Sequence, residues 1–125
     1  MKVADSSYLI EGILRDAALF ENETLVAPDL ALCEVVNIIW KHEIILKDLS
    51  ESSVRIRLFL ELISNETVQL VRPDGALLDE AYSLSVKHRL PIYDMIFVAL
   101  SSALSLELKT FDARQSKILT KEKRA

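Results

Sequence analysis

Short aliphatic and β-branched runs alternate along the chain with stretches whose apolar positions recur every three or four residues. Lys2–Ala4 predicts a first strand that stops at Asp5. Leu9, Ile10, Ile13, Leu14, Ala17 and Ala18 then follow helical spacing, with Glu11, Arg15 and Asp16 between them. Residues 24–27 predict a second strand, stopped by Pro28. Residues 29–46 predict a helix with Leu32, Val35, Val36 and Ile39 on one face. Residues 50–64 predict another, with Val54, Leu58, Phe59, Leu62 and Ile63 inward and Arg55, Arg57 and Glu61 outward. Residues 67–71 predict a third strand, closed by Pro73, Asp74 and Gly75. Residues 76–88 form a fourth helix with Leu77, Leu78, Ala81 and Tyr82 as its stripe. Beyond Pro91, residues 93–104 predict a strongly apolar helix and residues 107–110 a last short strand, and a final short helix follows Asp112.

Strands separated by helices imply right-handed crossovers and a mainly parallel sheet covered on both faces. In such sheets ligands bind outside the carboxyl ends of the strands. That rule selects residues. Asp5 ends the first strand, Asp112 follows the last, and Asp94 opens the apolar helix after Pro91. Glu34 sits among Leu30, Cys33 and Ile38. A buried carboxylate without a partner is costly, so it protonates, pairs or binds a cation. Several carboxylates in one place repel one another unless a cation neutralises them, and hard oxygen ligands suit Mg²⁺ or Mn²⁺. Singly, each acid also has an ordinary reading. Asp5 and Asp94 suit helix caps, Glu34 an ion pair with Lys41 or Lys47, and Asp112 a turn.

Composition narrows the class. The 125 residues, half of them hydrophobic, make one domain, residues 1–125, with enough apolar surface for its own core. Two glycines and three prolines exclude Gly-rich phosphate-binding loops. The single cysteine, Cys33, excludes a disulfide framework, reads as core filler and suits a reducing cytoplasm. The longest apolar run, residues 95–100, is too short to span a membrane, and Asp5 interrupts the place of a signal peptide, so Met1 is the expected start. Net charge is −4. The acidic excess lies upstream of Arg114, whereas Arg114, Lys117, Lys121, Lys123 and Arg124 oppose only Glu122 and read as a solvated last turn. Overall acidity argues against non-specific duplex binding. His42 and His88 are isolated, which argues against zinc, no GxSxG motif occurs, and Trp40 reads as core or dimer contact.

Four segments in order resemble the PIN-domain family, in particular the small VapC-type toxins. They are VADSSYLIEGIL with Asp5 and Ser7, PDLALCEVVNIIW with Glu34 and Asn37, LPIYDMIFVALSSAL with Asp94, and LKTFDARQ with Thr110 and Asp112. The resemblance covers residues 3–119. It implies a three-layer α/β/α fold with a mainly parallel sheet of four or five short strands. It also implies a cytoplasmic, metal-dependent endoribonuclease in which Asp5, Glu34, Asp94 and Asp112 are catalytic and hold Mg²⁺ or Mn²⁺. Ser7, Asn37 and Thr110 would orient the carboxylates. Arg114 and Lys109 are candidates for phosphate contact. The implied partners are an RNA substrate, a small antitoxin protein and a second copy in a homodimer. Many relatives carry another acid or Asn near the fourth motif, where this chain has Arg114 and Gln115. Three other readings compete. A response-regulator receiver lacks support because no acid pair follows the first strand. A non-catalytic binding module on the same fold and a housekeeping RNA-processing nuclease both remain open.

Overall fold

The computed structural model describes residues 1–124. In chain order the elements are β1 (Lys2–Ala4), α1 (Ser6–Leu14), a 3₁₀ turn (Ala17–Phe20), β2 (Leu25–Pro28), α2 (Leu30–Ile44), α3 (Ser52–Ser64), β3 (Val68–Val71), α4 (Gly75–His88), α5 (Ile92–Leu104), β4 (Leu108–Lys109) and α6 (Ala113–Arg124). The four strands form one sheet in the order β3-β2-β1-β4. Every pairing is parallel, with Val3 opposite Val26 on one side and Leu108 on the other. The strand order steps outward from β1 to β2 to β3, then returns across the sheet to β4. Right-handed crossovers therefore put α1, α2 and α3 on one face and α4 and α5 on the other. The packing agrees, since α1 contacts α2 and α3, and α5 contacts α4, α6 and the sheet. This is the expected three-layer α/β/α arrangement.

α5 explains most of the core. Residues 95–101 are all buried, because α5 lies on β1, β2 and β4 while α4 and α6 cover its remaining sides. A helix enclosed this way is apolar all round. The basic tail is less free than its charge suggests. Gln115 and Ile118 of α6 are buried, and Glu122 accepts from His88 Nε2 and Lys87 Nζ, each at 2.8 Å. His42 likewise pairs with Asp48 at 2.8 Å.

Several local expectations are corrected by tertiary packing. The first helix ends at Leu14, and Ala17 and Ala18 belong to the 3₁₀ turn that brings Phe20 back over Gly12. Val54 is 51% exposed, whereas Arg55 turns inward and donates to the Ile13 carbonyl at 3.1 Å. The buried side of α3 runs through Phe59 and Leu62. On α4 the buried set is Leu77, Ala81 and Leu84, leaving Leu78 and Tyr82 exposed. Cys33 is exposed, because α2 buries Ala31, Val35 and Ile39 and turns Cys33 the opposite way. Trp40 is half exposed and is not core. Among the described residues no helix is long and apolar enough to cross a membrane.

Gly12 permits the closest approach in this layer. A Cβ there would stand 2.4 Å from the Phe20 ring, and Phe20 is itself buried. Overpacking costs about 1–3 kcal/mol, against roughly 1 kcal/mol that Ala gains over Gly in a helix. Gly12→Ala should therefore destabilise the fold in urea titration, and Phe20→Leu in the same chain should restore most of the loss. A Gly12→Ala variant more stable than the parent would contradict this packing.

Candidate active site

All four strands are parallel, so their carboxyl ends share one edge of the sheet. β1 leads away to β2 while β4 arrives on its other side, and the crevice between β1 and β4 is the topological switch point. Asp5 stands immediately past β1 and is 3% exposed. Thr110 and Asp112 follow β4. Glu34 lies near the start of α2 and Asp94 in the first turn of α5, both half-buried.

The Asp5 carboxylate is tied on three sides. Oδ1 accepts from Ser7 Oγ at 2.6 Å and from the Tyr8 amide at 3.0 Å, so Asp5 caps α1 as well. Oδ2 accepts from Thr110 Oγ1. Thr110 Oγ1 in turn accepts from the Asp112 amide at 2.9 Å, and Ser7 Oγ accepts from the Phe111 amide at 3.0 Å. Ser7 and Thr110 thus both donate to the Asp5 carboxylate. Asn37 does not join them and lies exposed on α2.

Glu34 is paired with neither Lys41 nor Lys47. Its Oε1 accepts from Ser6 Oγ at 2.7 Å. Ser6 was legible only as a neighbour of Asp5, because its partner is 28 residues away. Asp94 does not cap α5, whose N-cap is Pro91. Its backbone carbonyl accepts from Gln115 Nε2 at 2.8 Å, while the buried Gln115 Oε1 has no partner among the described residues. Asp112 Oδ1 accepts from the Arg114 amide at 2.8 Å at the start of α6. The Arg114 guanidinium reaches Asp94 at 3.7 Å and Asp112 at 3.6 Å. Lys109 pairs loosely with Glu107 at 3.6 Å.

These carboxylates feel one another. Burial pushes the Asp5 carboxyl above its ordinary value, its three hydrogen bonds pull it back, and the charge of Asp112 raises it further. Burial likewise raises Glu34, against the Ser6 hydrogen bond and with help from Asp94 and Asp5. Asp94 is raised by burial and by Asp112, and lowered by Arg114. Among the described residues Arg114 is the one cation paired with any of the four, and it is mostly exposed. Such a loose, solvated pair is worth at most about 1 kcal/mol. Clustered, under-neutralised hard oxygen donors fit a divalent cation of the Mg²⁺ or Mn²⁺ kind. The fit is one of donor type, since among the described residues no three His, Cys, Asp or Glu side chains stand close enough together to hold an ion. A cleft of about 450 Å³ between α4, α5 and α6 is lined by none of the four acids.

Comparison with known proteins agrees with this architecture. The PIN domain family model matches residues 2–119. Ribonuclease VapC3 of Pyrobaculum aerophilum is 29% identical over 97 residues, which are 78% of this chain and 72% of that protein. The crystal structure of PAE2754 from Pyrobaculum aerophilum superposes with a TM-score of 0.76 at 19% identity, covering 94% of this chain and 83% of that one.

A carboxyl whose folded pKa is raised contributes stability below its unfolded pKa and loses it as pH climbs through the folded value. Asp5, Glu34 and Asp94 are all of this kind. In metal-free buffer, Asp5→Asn should therefore gain stability relative to the parent as pH rises from about 4 toward neutrality. Paired thermal melts across that window check it, and a difference independent of pH would show that Asp5 ionises as freely in the fold as in the open chain.

Proposed function

Because the chain belongs to the PIN-domain family, we propose that it is a metal-dependent endoribonuclease that hydrolyses RNA phosphodiester bonds, the toxin of a VapBC-type pair acting in the cytoplasm. The observation that carries this reading is the set of four acids at one sheet edge, three of them with carboxyls pushed up by burial and by one another. The ribonuclease name of the 29% identical relative supports the choice of RNA.

Asp5, Glu34, Asp94 and Asp112 would hold a Mg²⁺ or Mn²⁺ ion, which when bound supplies an acidified water and positive charge beside the scissile phosphate. Ser7, Thr110 and the Tyr8 amide keep Asp5 in one orientation, so no reorganisation is needed at the moment of reaction. Ser6 occupies Glu34 Oε1 and leaves Oε2 to face the ion or a water bound to it. Arg114, once released from Asp94 and Asp112, steadies phosphate oxygens as charge builds on them. Water adds to phosphorus and gives its proton to solvent, while the bond to the ribose oxygen breaks and that oxygen takes a proton from solvent.

The surface offers room for the proposed partners. Leu78, Tyr82 and Val86 form an exposed apolar stripe on α4, and Trp40 and Ile44 another on α2. Such patches suit protein contacts, here a second copy and an antitoxin segment. A non-catalytic module on this fold is the second reading, favoured by the lack of a closed ion cage among the described residues.

Purified protein incubated with cellular RNA should cut it with Mg²⁺ or Mn²⁺ and not with EDTA. Asp94→Asn should lose more than about 100-fold in rate, in line with removing an electrostatic group from such a site, while keeping the parent's circular dichroism. Mn²⁺ at about 100 times its Kd should stabilise the wild type by about 2.7 kcal/mol. Intact folding with neither cleavage nor Mn²⁺ stabilisation would favour the non-catalytic module.

A further inference from the structure

We propose that Arg114 is a built-in counter-ion of the acidic edge, which stands in for the divalent ion until the ion binds by displacing it. Arg114 thereby sets how tightly the edge takes the ion. The inference rests on the proposed function for the ion itself and adds what controls its binding.

The backbone of α6 fixes where Arg114 starts from. The Arg114 amide donates to Asp112 Oδ1 at 2.8 Å. The next residue, Gln115, is buried and donates from Nε2 to the Asp94 carbonyl at 2.8 Å. Ile118, on the same side of α6, is buried as well and keeps the helix seated. The first turn of α6 is therefore fastened beside both acids. From there a single nitrogen, Arg114 Nη2, reaches Asp94 Oδ2 at 3.7 Å and Asp112 Oδ2 at 3.6 Å. Two carboxylates sharing one cationic atom stand to it as a pair of ligands stands to a metal ion.

The guanidinium and an ion cannot both hold these oxygens. Mg²⁺ needs carboxylate oxygens at about 2.1 Å. A second cation within about 4 Å of the same oxygens would repel it. Burial lifts the Asp94 carboxyl and Arg114 holds it back, so the guanidinium charge is felt at that acid. Both Nη2 distances are longer than the roughly 2.9 Å of a hydrogen bond, so Arg114 neutralises the pair without locking it. Its side chain is 63% exposed and can swing into solvent without opening a cavity. Among the described residues no three potential ligand side chains stand close enough together to hold an ion. That spacing suits acids set around a wide, planar guanidinium rather than a compact ion. An exposed pair of this strength shifts a binding equilibrium by no more than about fivefold, which bounds the effect.

The test titrates the full chain with Mn²⁺, with no RNA present, and counts the free ion by electron paramagnetic resonance. Arg114→Gln should tighten Mn²⁺ binding by about threefold to fivefold. Lys117→Gln removes the same charge from an exposed position further along α6 and should leave the Kd at the wild-type value. In the wild type, the Arg114 Nε–H resonance, assigned by its loss in Arg114→Gln, should move in step with Mg²⁺ occupancy. Unchanged or weaker Mn²⁺ binding in Arg114→Gln overturns the inference. An equal gain in Lys117→Gln overturns it too and assigns the effect to net charge. A resonance that stays fixed at saturating Mg²⁺ also overturns it. Arg114→Gln that binds Mn²⁺ more tightly, beside a wild type that cuts no RNA, keeps the inference and sinks the ribonuclease reading. Metal-dependent cutting with an unchanged Kd in Arg114→Gln sinks the inference alone. Absence of Mn²⁺ binding in both proteins sinks the two together.

Discussion

The carboxylate of Asp5 sits at the end of the central strand β1, almost out of contact with solvent, and the edge of the sheet is organised around it. A buried charge is tolerated only when its lone pairs are satisfied. Here the donors come from Ser7 and Tyr8 in α1 and from Thr110 beyond β4. One side chain therefore caps a helix, ties together strands contributed by opposite ends of the chain, and fixes the segment that carries Phe111 and Asp112. The parallel pairing of β1 with β4 brings these groups within reach. The hydrogen bonds then select one arrangement of them.

The same edge concentrates charge that the fold does not neutralise. Glu34 and Asp94 join Asp5 with carboxyls raised by burial and by mutual repulsion, and among the described residues the cation set against this group is Arg114, held loosely to Asp94. Proteins keep such clusters at sites where a cation or a proton is needed, because perturbed carboxyls are otherwise a cost to stability. The proposed ion would remove the repulsion and free Arg114 in one exchange. Each acid is supported separately, by Ser6 for Glu34 and by Gln115 for the backbone of Asp94. The geometry of the edge thus depends on several weak contacts from four elements.

Much of this was legible in the sequence, for local reasons. Period-two and period-3.6 patterns record which face of an element is buried, so the alternation of strands and helices and the apolar character of α5 could be read without coordinates. Asp5, Asp94 and Asp112 were legible because each follows a strand or opens a helix, where the parallel-sheet rule puts ligands. Glu34 was legible as a carboxylate among apolar neighbours. Asp5 is also an ordinary helix cap, since its side chain accepts from the Tyr8 amide at the start of α1.

What the sequence by itself determined was the class of fold and which acids follow a strand or open a helix at the carboxyl edge of the sheet, because short-range patterning encodes burial and strand ends. Only the tertiary structure decided which neighbours those acids have. Ser6 meets Glu34, Gln115 meets Asp94, Arg55 turns inward to Ile13, and Lys109 pairs with Glu107. It also turned Cys33 and Val54 outward and left Phe111 stacked on Tyr8 in solvent. These pairings join residues far apart in the chain or depend on how a helix is rotated as it docks, and neither leaves a periodic trace in the order of the amino acids.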